Sequence, residues 1–214
     1  MTMRIATIIF AIFLLGCSTP ASRASYPPDY PGWSIGYTTQ AYMPVWIETI
    51  DVEDIEGRLF TRIGSGSAGI DFAGSPAGWN PPKSLGGGRI VRGAALPKHI
   101  YVRWQSLVEP QTYSAAFDVP ERARQWLLQR DRGKVVPELS YRRYLILDLA
   151  PGGWLKVWIT GPAGVDSEVL CMRGEIEPKG PFQRGEGARY VTLHKDAENY
   201  LKQHPVPFDS WNCD

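Results

Sequence analysis

Glycine and serine residues occur in two patterns that could bind a nucleotide or cleave an ester, and both patterns are incomplete. The segment Gly64-Ser65-Gly66-Ser67-Ala68-Gly69 has the Gly-x-Gly-x-x-Gly spacing of a dinucleotide-binding loop. Such a loop needs a helix directly after it, because the helix N-terminus faces the pyrophosphate. Gly74 and Pro76 exclude a helix there. Ser67 lacks the first glycine of the Gly-x-Ser-x-Gly hydrolase motif, so we predict neither nucleotide binding nor a serine hydrolase.

The histidines and a group of acidic residues also lack the spacing of a catalytic or metal site. His99, His194 and His204 form no triad and no ligand pair, and we predict structural roles for them. A calcium loop takes ligands at regular offsets around a central glycine, whereas the glycine here follows the acids, which predicts a solvated turn. The acidic residues are Asp51, Glu53, Asp54 and Glu56. We predict no catalytic residue, no metal and no cofactor, and we expect that the protein is not an enzyme.

Cys17 carries the most specific chemical signal in the sequence. A positive charge at Arg4 precedes an apolar run of about 12 residues, which is too short to cross a bilayer and is typical of a signal peptide. The run ends in Leu14-Leu15-Gly16-Cys17, which is similar to the bacterial lipobox, where the cysteine thiol is acylated before cleavage on its N-terminal side. We predict a signal peptide over residues 1–16 and lipidation of Cys17. The alternative is an incidental cysteine after a signal peptide, or a buried N-terminal helix.

A stretch rich in proline and serine follows Cys17. It shows no apolar periodicity, so we predict that residues 17–31 are the lipidated cysteine and a flexible tether, with an ordered first strand as the alternative. A tether of this length spans at most about 46 Å. Ser18 favours sorting to the outer membrane, and an anchor of several acyl chains does not detach. We expect a lipid-anchored protein on the periplasmic face of the outer membrane, with residues 32–214 as a single β-rich domain.

The two remaining cysteines are expected to lie in an oxidising compartment. We predict a disulfide between Cys171 and Cys213, which would fix the C-terminal tail. The alternative is a buried free thiol at Cys171 and a loose Cys213. No Cys-x-x-Cys or His-x-x-His pair accompanies them, so we do not expect a metal site from these thiols.

Composition and charge exclude several function classes. The chain of 214 residues has 23 Lys and Arg against 22 Asp and Glu, so it lacks a domain-wide basic surface and we predict no nucleic-acid partner. With 43% hydrophobic and 21% charged residues, the chain is typical of globular proteins rather than of disordered or multi-span membrane proteins. Its 22 glycines, 18 prolines and 8 tryptophans favour short strands and tight turns.

Period-two alternation predicts a mainly β fold. Apolar and polar residues alternate over Pro97–Val108 and again over Tyr113–Val119, and the short link between them predicts a hairpin. The region Gly64–Gly88 is predicted as a long loop. Further strands are predicted at Trp33–Thr39, Val45–Ile50, Arg58–Ile63, Gly88–Ala95, Tyr144–Leu149, Leu155–Thr160, Glu168–Arg173 and Ala188–Leu193. We predict an antiparallel β-sandwich-like domain with one flanking α-helix and a short C-terminal helix.

Turn and capping residues place these two helices. Asp118 and Glu121 have the spacing of a capping box, Pro120 lies in the first turn, and Gly133 ends the segment. The second predicted helix, Lys195–Gln203, is stopped by a proline.

Two groups of side chains are candidates for a partner surface. Trp154, Lys156 and Trp158 alternate with aliphatic residues, so the two tryptophans flank a lysine on one face of a strand, a composition expected of a binding hot spot. The alternative is that both faces of this strand are covered. Arg142 and Arg143, with arginines of the first helix, form a second candidate, a local basic patch, for which a solvated face is the alternative.

The sequence resembles a known family in five segments, Leu96-Pro97, Ile100–Glu109, Tyr113, Phe117–Pro120 and Pro151–Trp158. They are similar to a domain-of-unknown-function family of small proteobacterial lipoproteins, over about residues 32–193. Members often lie beside type VI secretion phospholipase effectors, and some resemble immunity proteins that neutralise such a lipase in the periplasm. The family has no known catalytic residues.

The lipobox and the resemblance together imply a binding function. We expect a lipoprotein that captures a protein partner, and the predicted partner is a secreted lipase effector, which would make this chain its immunity protein. The alternative is a structural or ligand-binding envelope lipoprotein that contacts sugar, peptidoglycan or lipid through Trp154 and Trp158. A hydrolase would need a histidine beside a serine and a carboxylate in one pocket.

Overall fold

The computed structural model describes residues 27, 29–69, 71–80, 89–133, 138–164, 166–182 and 189–213. The predicted signal peptide, Cys17 and most of the predicted tether lie outside these residues. The strands are β1 (Ser34–Thr39), β2 (Val45–Asp54), β3 (Leu59–Ala68), β4 (Arg89–Ile90), β5 (Pro97–Ser106), β6 (Gln111–Asp118), β7 (Arg130–Arg132), β8 (Leu139–Tyr141), β9 (Tyr144–Ala150), β10 (Trp154–Thr160), β11 (Ser167–Arg173) and β12 (Glu175–Ile176). The helices are α1 (Glu121–Leu127) and α2 (Lys195–Leu201).

Two five-stranded sheets form the body of the protein. Sheet A has the strand order β11-β10-β9-β1-β4, and sheet B has the order β12-β6-β5-β2-β3. Strands β7 and β8 form a separate hairpin. The β1–β9 pair is parallel, and the other pairs in both sheets are antiparallel. The fold is therefore mainly β and sandwich-like, as the sequence predicted.

The inner faces of the two sheets share one hydrophobic core. Ile100, Val102 and Trp104 of β5 are fully buried, as their alternation predicted, and Leu145 and Leu147 of β9 join them from sheet A. Successive side chains of a strand point to opposite faces. Residues of the other parity therefore lie on the outer faces of the sheets, where the candidate functional residues are found.

The outer face of sheet B carries a buried polar cluster beneath the chain that follows β12. Glu48 accepts hydrogen bonds from Arg103 Nε at 2.6 Å, from Gln105 Nε2 at 2.8 Å and from the backbone N–H of Phe182 at 2.9 Å. Gln105 Oε1 accepts a hydrogen bond from the backbone N–H of Val191 at 2.9 Å. Side chains of sheet B thus supply hydrogen-bond partners to the covering backbone.

Several predicted elements have different bounds in the structure. In the predicted strand Ala188–Leu193, the described residues are irregular, because their backbone bonds to side chains of sheet B rather than to another strand. The strand predicted at Gly88–Ala95 is reduced to β4. The predicted loop Gly64–Gly88 begins later, because β3 continues through its first residues, where the Tyr37 hydroxyl donates a hydrogen bond to the Ser65 carbonyl at 2.8 Å.

Helix α1 has different ends from those predicted. The Asp118 carboxylate does not cap it; instead Oδ1 lies 2.9 Å from His99 Nδ1 on the neighbouring strand, and Pro120 occupies the N-cap position without a side-chain hydrogen bond. The helix ends at Leu127 rather than at Gly133, because the residues before that glycine form β7 and pair with β8. The C-terminal helix α2 begins where predicted and ends slightly earlier.

In the acidic group at the end of β2, the prediction of a solvated turn is wrong for Asp54. Asp54 is fully buried, and its carboxylate accepts hydrogen bonds from the backbone N–H groups of Glu56, Arg58 and Ala95 at 2.9, 3.0 and 2.9 Å. Arg58 Nε adds a fourth at 2.8 Å. Burial by itself raises the pKa of Asp54, but these donors together lower it below its ordinary value. The carboxylate therefore fixes the turn between β2 and β3.

Candidate functional site

The predicted partner surface lies on the outer face of β10, and most of it is covered. Lys156 and Trp158 are 8% and 9% exposed, whereas Trp154 is half-buried. Lys156 Nζ lies 3.0 Å from Glu168 Oε2, and 5.3 and 5.5 Å from the ring centroids of Trp79 and Trp158. Both faces of β10 are therefore covered at Lys156 and Trp158, as the alternative prediction stated. Trp154 remains the member of the group that a partner can contact directly.

The loop after β3 and the C-terminal segment from α2 onward form this cover. Trp79 Nε1 of the loop donates a hydrogen bond to the Asn212 carbonyl at 2.8 Å, and Trp211 Nε1 donates one back to the Gly78 carbonyl at 3.2 Å. Trp211 is 1% exposed and packs in a small apolar cluster separate from the main core. We call these two segments, residues 71–80 and 195–213, the cover.

The cover is joined to sheet A by the disulfide that the sequence predicted. The sulfur atoms of Cys171 and Cys213 are 2.07 Å apart, and the two residues are separated by 42 positions. Cys171 lies in β11, directly opposite Lys156 in the pairing with β10. The covalent link therefore holds the C-terminal end of the chain against the strands that carry the two tryptophans.

A buried carboxylic acid lies beneath the cover. Asp148 of β9 pairs in register with Lys156 and is 1% exposed. Gln40 Nε2 donates a hydrogen bond to Asp148 Oδ1 at 3.0 Å, while Oδ2 accepts no hydrogen bond of normal geometry from the described residues. Burial raises the pKa of Asp148 to about 7, and Trp158, Gln40 and the charge on Lys156 only partly oppose that effect.

An exposed surface lies where β9 turns into β10. Arg173 at the end of β11 is opposite Trp154 in register; its guanidinium carbon lies 5.6 Å from a Trp154 ring centroid, and its Nε donates a hydrogen bond to the Gly152 carbonyl at 2.7 Å. A Cβ atom added at Gly152 would lie 3.6 Å from Phe208 Cδ1. Phe208 is 46% exposed and Ile176 is 60% exposed. We call Trp154, Arg173, Ile176 and Phe208 the turn surface.

The backbone beneath the turn surface is fixed in place. Gly152 and Gly153 both have φ of +80°, and a Cβ atom at Gly153 would lie 2.7 Å from the Tyr113 ring. The Gly152 N–H donates a hydrogen bond to Glu109 Oε1 at 2.8 Å. Burial, and then the charge on Glu109, raise the pKa of the Tyr113 phenol, so this phenol stays neutral. Ile176 pairs with Tyr113, which places it beside the same turn.

An open cleft lies at the other end of β9. Its volume is about 410 Å³. It is formed where the chain before β1 meets the β7–β8 hairpin and the start of β9. The residues that matter for its chemistry are Asp29, Arg130, Leu139, Tyr141, Arg143 and Tyr144. We call it the Arg-Tyr cleft.

Charges in the Arg-Tyr cleft are only partly paired. Arg130 forms an ion pair with Asp29 and donates a hydrogen bond to the Tyr141 hydroxyl at 2.7 Å, which in turn donates one to Asp29 at 2.9 Å. The hydrogen bond from Tyr141 has the largest effect on Asp29 and, together with Arg130, lowers the pKa of Asp29 below its ordinary value. Arg143 Nη2 lies 3.2 Å from the Tyr144 hydroxyl. No carboxylate of the described residues lies within ion-pair distance of Arg143, so its charge is available to a ligand.

The remaining sequence candidates do not converge on one site. His99 pairs with Asp118, His194 caps α2 by accepting the N–H of Asp196 at 3.3 Å, and His204 stacks on Tyr200. The described residues contain no group of three His, Cys, Asp or Glu side chains arranged to hold a metal ion. Among the helices in the described ranges, none has the length and apolar character needed to cross a membrane.

Several residues of these sites are missed by the sequence analysis. Asp148 is marked only by being the charged residue of the otherwise apolar strand β9. Arg173 faces Trp154 because of the β10–β11 register, which contains an irregularity after Val157 and leaves no local sequence signal. Ile176 and Phe208 lie at sequence positions where no element was predicted.

Comparison with known proteins identifies a family for the chain. Residues 18–209 match the model of a family described as Protein of unknown function (DUF2931). No curated protein and no solved structure was found to match. The family match includes the two sheets, the Arg-Tyr cleft and the turn surface.

Proposed function

The chain belongs to the DUF2931 family of proteins of unknown function, and we propose that this member is an outer-membrane lipoprotein that binds a protein partner. The partner we propose is a lipase delivered to the periplasm by a type VI secretion system, which the protein neutralises as an immunity protein. The lipobox at Cys17 supports the compartment, and so does the Cys171–Cys213 disulfide, since disulfides persist in oxidising compartments. The choice of a lipase rests on the sequence resemblance.

The turn surface is the observation that carries the binding proposal. It combines an arginine stacked beside a tryptophan with two exposed apolar side chains. Tryptophan and arginine are the residues most enriched in binding hot spots, where they fill pockets of the partner and exclude water. Isolated apolar residues are common on protein surfaces, but four side chains of this kind around one turn form a patch that a partner could cover.

The turn surface is also preorganised. Arg173 bonds to the Gly152 carbonyl, and the Gly152 N–H bonds to Glu109, so both sides of the turn are held by side chains. Binding to a surface whose side chains are already ordered costs less conformational entropy. The arrangement therefore supports tight binding from a small number of contacts.

The turn surface lies at the opposite end of β9 from the entry of the predicted tether. Strand β9 begins at the Arg-Tyr cleft, where Asp29 is held, and ends at Ala150 beside the turn. A strand of this length spans about 23 Å. In a protein anchored through Cys17, this surface would face away from the attachment point. Anchoring would also concentrate the inhibitor at the membrane on which a phospholipase acts.

The alternative of a ligand-binding envelope lipoprotein uses the covered part of the same outer face of β10, between Trp154 and Trp158. A sugar or lipid bound between Trp154 and Trp158 would require the cover to move, because Trp158 is 9% exposed and the disulfide holds the cover in place. The structure therefore supports the turn surface more directly than the Trp158 face.

Binding to purified phospholipase effectors of type VI secretion systems tests the proposal. We expect Trp154→Ala and Arg173→Ala each to weaken binding about 30-fold or more, the factor typical of a hot-spot residue. Leu59→Ala is the matched control, because Leu59 is an exposed apolar residue, 67% exposed, on β3 of the other sheet. If both turn-surface variants bind the lipase as tightly as the wild type does, the interface lies elsewhere.

Survival of cells that express the lipase in their periplasm tests the biological role. We expect wild-type protein to rescue growth and Cys17→Ala to rescue poorly, although its purified domain still binds the lipase. Failure of the wild-type protein to rescue growth would refute the immunity function.

A further inference from the structure

We propose that the Arg-Tyr cleft docks the domain on an anionic phospholipid surface and holds one lipid phosphate against Arg143. The cleft has an open volume of about 410 Å³, which admits a headgroup. This second membrane contact goes beyond the proposed partner binding and uses the opposite end of the domain. Only its orientation argument rests on the proposed anchor at Cys17.

The hydrogen-bond donors of the cleft fit a phosphate. Arg143 has no carboxylate partner among the described residues, and the Tyr144 ring lies 5.3 Å from its guanidinium carbon. The neighbouring Arg130 guanidinium lies 4.3 Å from the Tyr141 ring centroid. Guanidinium groups bind phosphate through several N–H donors in a fixed plane. Because Asp29 already neutralises Arg130, the free positive charge is that of Arg143, which suits a single phosphodiester.

The rim of the cleft suits the boundary between lipid headgroups and acyl chains. Leu139 of the β7–β8 hairpin is 55% exposed and lines the cleft. Tyrosine side chains, with an apolar ring and a polar hydroxyl, are favoured at this boundary, and Tyr144, which is half-buried, supplies one of them. The combination of arginine, tyrosine and exposed leucine favours a bilayer over a free phosphate ion, because a free ion makes no use of Leu139.

The path of the N-terminal chain places the cleft near the membrane. Tyr30 packs edge-on against Tyr141 at 5.0 Å between ring centroids, and Asp29 is bound to Arg130, so the end of the predicted tether is fastened to the cleft itself. From Cys17 to residue 27 is a stretch of about ten residues, which reaches at most about 36 Å when extended. A lipid anchor at Cys17 would thus hold this end of the domain, and this cleft, close to the bilayer.

Co-sedimentation with vesicles tests the proposal without the anchor. The chain beginning at Ser18 retains the described elements and their contacts, and it carries no lipid. We expect it to bind vesicles of equal parts phosphatidylcholine and phosphatidylglycerol and to bind pure phosphatidylcholine vesicles more weakly. Arg143→Gln should weaken binding to the mixed vesicles about fivefold, since each basic residue near an anionic surface contributes roughly that factor. Arg143→Lys keeps the charge but not the planar set of donors, so its binding should lie between that of the wild type and that of Arg143→Gln.

Controls separate the cleft from general charge effects. Arg62→Gln removes the same charge from an exposed arginine on β3 of the other sheet, which does not line the cleft, and should leave vesicle binding within about twofold of the wild type. Leu139→Ser should weaken binding without changing net charge. Circular dichroism of each variant confirms folding.

Three results would overturn the proposal. They are equal binding to the two vesicle compositions, wild-type affinity in Arg143→Gln, and binding of inorganic phosphate through Arg143 without binding to vesicles. Because this assay contains neither the anchor nor the lipase, its failure leaves the proposed immunity function standing. Failure of the lipase assay would likewise leave the vesicle result intact.

Discussion

Asp54 of sheet B and Asp148 of sheet A are two aspartates with almost no exposed surface and opposite surroundings. Asp54 accepts three backbone hydrogen bonds and one from Arg58, which also forms an ion pair with it at 2.8 Å. Asp148 accepts one hydrogen bond of normal geometry, from Gln40, and Lys156 beside it pairs with Glu168 instead. Asp54 has more donors around it and Asp148 lies deeper in the protein, and these two differences together decide which protonation state the fold favours.

The two carboxylates make stability depend on pH in opposite directions. The folded pKa of Asp54 is lowered, so its contribution is present above pH 4 and is lost as pH falls through the folded pKa. The folded pKa of Asp148 is raised to about 7. An unfolded aspartate ionises near pH 4, so unfolding releases a proton from Asp148 between about pH 4 and 7. Its contribution to stability falls as pH rises through that window.

Asp54→Asn should have the largest effect on stability. The asparagine amide would place its own N–H groups against the Ala95 N–H and the Arg58 guanidinium, which are also hydrogen-bond donors. Arg58 would lose the buried carboxylate with which it pairs. We expect a loss of about 4 to 5 kcal/mol in the free energy of unfolding at pH 7, because two hydrogen bonds to the buried carboxylate are lost and each contributes about 1.5 to 3 kcal/mol. Urea denaturation measures it. A loss below about 1 kcal/mol, the size expected of a surface pair, would contradict the assigned role.

Asp148→Asn is the same chemical change and should act in the opposite direction. The amide stays neutral at every pH, so the variant should gain stability relative to the wild type as pH rises from 4 to 8. The raised pKa corresponds to a difference of up to about 4 kcal/mol across that range. Urea denaturation of both proteins at several pH values gives the difference. A constant difference between pH 4 and 8 would show that Asp148 has an ordinary pKa.

Loss of the disulfide should reduce the difference in pKa between Asp54 and Asp148. Cys213→Ser frees the end of the cover, and we expect a loss of about 3 kcal/mol in stability, typical of a native disulfide. Water reaching Asp148 should also lower its pKa towards the ordinary value and flatten the pH dependence between pH 4 and 7. Reduced wild-type protein and Cys171→Ser should behave alike. An unchanged pH dependence in all three would mean that the cover stays closed without the bond.

Local patterns in the sequence predicted those parts of the fold that depend on neighbouring residues. The alternation in Pro97–Val108 gave β5, and its link to the next strand gave the β5–β6 hairpin, because hairpin partners are close in the chain. The end of α1 was missed, since the residues before Gly133 pair with β8, beyond the reach of a capping argument. The two cysteines could be paired from their number and from the compartment that the sequence predicts.

The candidate sites depend on contacts between distant residues, and the sequence predicted fewer of them. Asp54 belongs to an acidic group that is typical of a turn, and the Ala95 N–H that helps to bury it lies 41 residues away. Lys156 and Trp158 were placed correctly on one face of a strand, but only the tertiary structure shows that residues from two remote segments cover them. Trp154 was predicted and Arg173 was not, because their contact depends on strand register.

The parallel pairing of β1 with β9 has a consequence for the order of assembly. Residues Ser34 and Tyr144 are partners in this pair. Strand β1 therefore cannot pair with β9, the middle strand of sheet A, until more than half of the chain has been synthesised. In sheet B, by contrast, β2 and β3 and then β5 and β6 are hairpins of adjacent strands. Because distant pairings form slowly, sheet B can act as the template on which sheet A is completed.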